Sequence, residues 1–375
     1  MIFRIPTALA TLSVSLLLVS AHPGNGCSLY KRQTATCPAT YAPVAEGSYP
    51  ALDCVPFVED PQVQEWLKLV NFTQVPTTAV SNAGACPPDI STIPASQCWW
   101  TCQKCVAPTD IVNCPTPMTW GLTYDDGPSP DSPRLYDYLK THNQTTTLFI
   151  VGSRAISYPD TLKRAYQEGH QIAIHTWSHP SMTGLTNEQV VAELKWTEKA
   201  IHDILGVTPT YWRPPYGDVD DRVRAIATQL GYKTVIWTQG FDTNDWDIPG
   251  GLATPESVVA NFQSLLAEAP TMSTGFIVLE HDLYPQEVDV AINSILPMAY
   301  NTTGLTIEPV AKCIGDFAPY KEGAGTFQNE GGNGTTNSTL AQTYSGASAQ
   351  QESSSRLAMV ALTTSCLMVL SGLLL

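Results

Sequence analysis

Five short polar clusters, each at or just after the end of an apolar run, hold the residues of this chain that can do chemistry. They are Asp125-Asp126 ahead of Gly127-Pro128, His175-Thr176-Trp177-Ser178-His179, Arg213-Pro214-Pro215-Tyr216-Gly217, Asp242-Thr243-Asn244-Asp245-Trp246 and Leu279-Glu280-His281. Singly, each has a bland reading: a polar turn, a surface histidine pair, an ordinary ion pair, a rigid Pro-Pro bend. Together they make a reaction centre. Two imidazoles, His175 and His179, with the carboxylate of Asp126 form a ligand set for a divalent metal, zinc first and cobalt as the alternative. Such a set leaves positions open for water and substrate. A metal held this way acidifies water and polarises a carbonyl oxygen, so hydrolysis of an amide or ester is the reaction it suits. That reaction also needs a base and an acid. Asp125, adjacent to the ligand Asp126 but directed elsewhere, is placed to be the base, and Arg213 to pair with it and hold it off the metal. His281 is the candidate acid, with Asp245 to orient its ring and raise its pKa. Neither Pro214 nor Pro215 has an N–H, so the first free backbone donor after Arg213 belongs to Tyr216. Held on a stiff support, it suits a tetrahedral oxyanion.

The elements that must position these groups are read from periodicity. From residue 118 onward, strand-like apolar runs at 118–124, 147–151, 171–176, 211–214, 233–238, 275–280 and 305–310 alternate with helical stretches. This is the pattern of successive βα units on a parallel sheet. Seven such runs predict an α/β fold, a distorted (β/α) barrel of about seven parallel strands. In parallel barrels the catalytic groups gather at the C-terminal ends of the strands, where all five clusters fall. Thr186 and Gln189 predict a capping box before a helix over 190–205 that stops at Gly206. Thr254 predicts the cap of a helix from Pro255 to about Ala269.

The five motifs, in this order, resemble those of the polysaccharide deacetylases, the chitin, peptidoglycan and nodulation-factor deacetylases with a NodB-type domain. The resemblance covers roughly residues 116–312. It implies Asp125 as base, Asp126, His175 and His179 as metal ligands, and Arg213, Asp245 and His281 as further catalytic groups. Tyr216, Trp246 and Leu279 are implied as substrate-binding residues. Tyr124 stands where the family usually has Phe, and Thr176 where Ser is common; neither change removes a catalytic group. With the secretory features described next, the chain looks most like fungal cell-wall chitin deacetylases. The reaction implied is hydrolysis of the N-acetyl group of N-acetylglucosamine units, with chitin or chitin oligosaccharides as substrate and chitosan and acetate as products. Two rival readings are an acetylxylan esterase using the same site and a glycan-binding wall protein without catalysis.

The 375 residues exceed one ordinary domain, and 43% hydrophobic against 14% charged content allows a large core. The net charge of −15 argues against nucleic acid as a partner, because an acidic surface repels phosphate. Residues 1–21, with Arg4, an apolar run over 9–19 and Val19-Ser20-Ala21, read as a secretory signal peptide, and 22–32, ending in Lys31-Arg32, as a propeptide. The apolar, uncharged stretch 357–375 reads as a glycosyl-phosphatidylinositol (GPI) anchor signal in preference to a spanning helix, since no basic segment follows it. This places the protein outside the cell, tied to the plasma membrane or the wall.

Secretion makes disulfides, rather than zinc, the expected use of Cys98, Cys102 and Cys105. Setting aside Cys27 and Cys366 leaves eight cysteines. Seven of these lie over 37–114, so at least one must reach Cys313, and Cys114, next to the first strand, is the choice in a closed barrel. Residues 33–115 read as a disulfide-held extension, with one short amphipathic helix within 57–70. In it Trp99-Trp100 serves either a small core or carbohydrate binding. Residues 318–356 read as a glycosylated stalk. Sequons at Asn71, Asn143, Asn301, Asn333 and Asn337 agree with a eukaryotic secretory route.

Overall fold

The structure, a computed structural model, describes residues 37–325 apart from 43 and 46. The expected leader and propeptide, the stalk from 326 and the apolar tail lie outside the described residues, as do Cys27, Cys366, Asn333 and Asn337. Among the described residues no helix is long and apolar enough to cross a membrane.

Each of the seven expected runs contains a strand. The strands are β1 Thr119–Gly121, β2 Thr123–Asp125, β3 Thr147–Ile150, β4 Gln171–Ile174, β5 Tyr211–Trp212, β6 Lys233–Thr234, β7 Phe276–Ile277 and β8 Thr306–Glu308. All the pairings between them are parallel, in the orders β7-β1-β8 and β2-β3-β4-β5-β6. The first run is split because its two halves have different neighbours. The amide of Leu122 donates to Glu308 at the end of β8, while its carbonyl accepts from Thr147 at the start of β3. Parallel bridges Asp125–His281 and Asp242–Leu279 join the two sheets, so the strands close on themselves as a distorted barrel.

Side chains alternate across this wall with the period of two that strands impose. Leu148, Ile150, Ile172, Ile174 and Trp212 belong to the large core shared with the helices, whereas Phe149, Ala173, Tyr211, Val235 and Ile277 form a second, smaller cluster with Val310 and Ala311. By register Asp125 lies opposite Phe149, which puts it on the face of the smaller cluster. His175 and Arg213 follow Ala173 and Tyr211 at the same parity.

The helices begin and end where their caps dictate. Asn187–Leu205 has the expected Thr186/Gln189 capping box and stops at left-handed Gly206; Pro255–Glu268 is capped by Thr254 with Ser257. In the extension, Asp60 caps the short helix Pro61–Leu67, within the expected stretch, and Trp66 packs edge-on against Trp196 of the helix Asn187–Leu205 at 5.1 Å. Disulfides Cys37–Cys54, Cys86–Cys102 and Cys98–Cys105 hold the extension together, and Cys114–Cys313 ties the two ends of the barrel sequence. Trp99 and Trp100 are both buried, which favours the small-core reading over an exposed sugar platform. Residues 318–325, expected to begin the stalk, instead dock on the barrel: Tyr320 is buried and its hydroxyl accepts from the Ile172 amide at 3.0 Å.

Candidate active site

Asp125 ends β2, and its neighbour Asp126 has φ 75°, a left-handed residue that turns the two side chains apart. Asp125 Oδ1 accepts from Arg213 Nη1 at 2.7 Å, and the same Nη1 donates to Thr123 Oγ1 at 2.9 Å. The Arg213 guanidinium lies over the Phe149 ring, 4.2 Å from its centroid, and is fully buried. A buried arginine held on a ring face and bonded to one carboxylate oxygen fixes Asp125 and leaves its second oxygen, Oδ2, facing elsewhere. That oxygen lies 3.9 Å from His175 Nε2.

Asp126 Oδ1 is 3.4 Å from His175 Nε2 and 3.1 Å from His179 Nε2. These three residues form a cluster whose ligand atoms all lie within 4.8 Å of one another. The donor chemistry fits a divalent metal. His175 Nδ1 sits 2.8 Å from the carbonyl of Arg213, an acceptor only, so that nitrogen carries the proton and Nε2 carries the lone pair. His179 Nδ1 is 3.1 Å from the Tyr216 hydroxyl, which can take the same role for the second ring.

On the other side of Asp125, the amide of His281 donates to Asp245 Oδ2 at 2.8 Å, and its Nδ1 lies 2.7 Å from Asp245 Oδ1. Burial, the largest influence, pulls the His281 ring down. The charge and hydrogen bond of Asp245, with the charges of Asp126 and Glu287, more than offset it and hold the ring well above the ordinary histidine value. A ring whose charged form is favoured in this way suits a proton donor. Asp242, at the same sheet edge, is pushed up to about 6 by burial and accepts from the Asn244 amide and from Trp246. Leu279, buried, pairs with Asp242 through the bridge that closes the barrel.

All ten residues expected at the site therefore gather at one end of the barrel or pair with residues that do. Others were not foreseen. Glu193, inside the helix Asn187–Leu205, is fully buried. It accepts from the amides of Trp177 and Ser178 at 2.7 and 2.9 Å and from Ser178 Oγ at 2.6 Å, so it pins the loop between the two histidines. Thr176 Oγ1 accepts from the His179 amide at 3.1 Å, so threonine serves where serine is common. Asp218, two residues past Tyr216, receives four hydrogen bonds. Asp282 is buried behind Gly127 and pushed up to about 7, first by burial and then by the charges of Asp126 and Asp125. The adjacency of Asp282 to His281 was a usable signal; for Glu193 and Asp218 the sequence carries none.

Left-handed backbone recurs at the site. Asp126, Thr176, His179 and Tyr216 all have φ between 59° and 75°. For residues with a Cβ this costs roughly 1–2 kcal/mol each and persists only where surroundings over-determine it.

A family model described as polysaccharide deacetylase matches residues 113–235. Chitin deacetylase 1 of Cryptococcus neoformans var. grubii is 46% identical over 327 residues, which is 83% of this chain and 69% of that protein. Chitin deacetylase 2 of the same fungus is 43% identical over 244 residues, 62% of this chain but only 52% of the relative. Chitin deacetylase 1 of Saccharomyces cerevisiae is 34% identical over 263 residues, 70% of this chain and 79% of its own length. The chain thus spans between about half and four fifths of these curated relatives. The solved structure of the chitin deacetylase from Colletotrichum lindemuthianum superposes with a TM-score of 0.52 at 28% identity, covering 60% of this chain and 100% of that one. The order of the motifs, the parallel barrel that gathers them and these relatives agree: the chain belongs to the polysaccharide deacetylase family.

Proposed function

We propose that this protein is a metal-dependent amidohydrolase that removes N-acetyl groups from the N-acetylglucosamine units of chitin, releasing acetate and leaving chitosan, in remodelling of a cell wall. The observation that carries the reading is the placement of a fixed carboxylate, Asp125 paired with Arg213, beside the Asp126-His175-His179 cluster, with the His281 ring hydrogen-bonded to Asp245. Asp126, His175 and His179 would hold the metal, zinc before cobalt, which when bound polarises the acetyl carbonyl and makes water acidic.

Each remaining step belongs to the chain. Asp125 takes a proton from the attacking water as the new C–O bond forms at the acetyl carbon. The Tyr216 N–H stabilises the oxyanion. His281 then delivers a proton to the sugar nitrogen as the C–N bond breaks, so acetate and a free amine leave. Leu279 and Trp246 contact the acetyl group and the sugar. Named relatives act on chitin, which favours this amide over the ester of acetylated xylan. The signal peptide, sequons and apolar tail support a secreted, glycosylated, GPI-anchored protein at the membrane or wall.

The test is acetate release from chitin oligomers and from acetylated xylan, with and without a chelator. Release from the oligomers, abolished by the chelator and restored by added zinc, is expected. Release from xylan alone would replace the substrate, and chelator-insensitive release would overturn the metal site.

A further inference from the structure

The Tyr216 turn carries an unusual backbone. Tyr216 (φ 60°) and Gly217 (φ 64°) are successive left-handed residues in a turn closed by the Asp218 amide on the Pro215 carbonyl at 2.9 Å. Glycine or asparagine normally fills the first of these positions, and tyrosine is disfavoured there. Tyr216 is also 43% exposed, so burial of its own ring is not what imposes the conformation. The flanks must impose it.

Those flanks belong in large part to the disulfide-held extension. Trp99 Nε1 donates to Asp218 Oδ1 at 2.7 Å, and Thr101 Oγ1 reaches the same oxygen at 3.3 Å. The Trp100 amide donates to the Val219 carbonyl at 3.0 Å. The Trp100 ring lies so close to Gly217 that a Cβ there would sit 2.6 Å from it, so both the φ and the contact require glycine. Asp218 Oδ2 meanwhile accepts from the amide and the hydroxyl of Thr183 at 2.9 and 2.8 Å. Thr183 lies four residues past His179, whose ring the Tyr216 hydroxyl touches. Residues 98–105, closed by Cys98–Cys105 and cross-linked by Cys86–Cys102, thus present a stiff edge to one buried carboxylate that ties two catalytic loops.

We propose that the cysteine-rich extension is part of the catalytic apparatus: through Trp99 and Thr101 on Asp218 it holds Tyr216 in the left-handed conformation that aims its amide at the oxyanion. Trp99 and Asp218 are positioning residues in this scheme, which rests on the deacetylase reading for the use of that amide but not for the knot itself.

The test uses the full chain loaded with zinc and two variants, Trp99→Phe, which keeps the ring and removes the donor, and Asp218→Asn. Well below the melting temperature, kcat on chitin oligomers should fall about tenfold to a hundredfold, the range for misplacing a catalytic group. KM and zinc stoichiometry should stay within about twofold. Amide hydrogen exchange over 215–219 should quicken in both variants whether or not acetate is released. If Asp218→Asn does not fold, Trp99→Phe carries the test. A folded Trp99→Phe with parental kcat overturns the proposal, even if it melts earlier. A parent that releases no acetate removes the deacetylase reading instead, and unchanged exchange over 215–219 would then overturn the knot separately.

Discussion

Asp125 and Asp126 are chain neighbours with the same side chain and different surroundings. One meets a buried guanidinium, the other two imidazoles. Asp126→Asn should weaken metal binding, since an amide does not offer the carboxylate's charge to a dication, and excess metal should restore part of the activity. Asp125→Asn should keep its metal and lose the base, worth roughly 10² to 10⁴ in rate, with no rescue by added metal. Metal stoichiometry measured beside acetate release decides the matter: an Asp125→Asn protein without metal, or an Asp126→Asn protein with full affinity, reverses the two roles. The sequence assigned the two roles through the family resemblance, in which the first Asp of the pair is the base and the second a metal ligand. The left-handed backbone of Asp126, φ 75°, was not legible there, although aspartate is among the side chains that visit that region most readily.

At the scale of elements, strand starts were legible and strand ends were not. The runs 211–214, 233–238 and 275–280 each hold a continuous strand of only two residues, and their later parts pair through single bridges, Val235 with Ile111 and Leu279 with Asp242, on the way to the site residues. Glu193 escaped notice because a glutamate inside an amphipathic helix reads as solvent-facing until one knows which loop packs on it. His170, just before β4, gives an element-scale prediction. Its ring is buried, accepts from the Thr146 amide through Nδ1 at 3.2 Å, and packs on Tyr136. Burial, opposed by Glu168 and assisted by Arg164, lowers it to about 4. The folded ring therefore stays neutral where the unfolded one, near 6.5, binds a proton. Its contribution is full above about 6.5 and is lost as the pH falls toward 4, about 3 kcal/mol in all. His170→Asn should flatten the fall in melting temperature between pH 7 and 4, and an unaltered slope would show that other groups cause it.

For the whole molecule, the joining of the barrel's first and last elements was expected from cysteine parity and is present as Cys114–Cys313, closing a separation of 199 residues. Cross-linking so long a loop restricts the unfolded chain by about 5 kcal/mol on entropic grounds, and losing native bridges typically costs 2–5. The Cys114→Ala, Cys313→Ala double variant should therefore lose about that much stability in denaturant titration; an unchanged midpoint would mean the barrel closes without help. The sequence marked residues 33–115 as a disulfide-held extension; three bridges lie within it, and the fourth, Cys114–Cys313, ties its end to the end of the barrel sequence. Its docking on the catalytic loops was not legible, because the partners Trp99 and Asp218 stand 119 residues apart and neither is unusual alone.

The same bridge decides what happens when the chain is pulled. Tension applied beyond residue 325 first meets Glu322 on Thr208, Tyr320 on Ile172 and Pro319 on Thr210, contacts that can peel one at a time. It then reaches Cys313, where the load crosses a covalent bond to Cys114 and leaves the intervening chain unstretched. Every group from Asp125 to His281 lies inside that bypassed segment, so tension applied between the chain before Cys114 and the chain after Cys313 does not stretch the backbone that carries them.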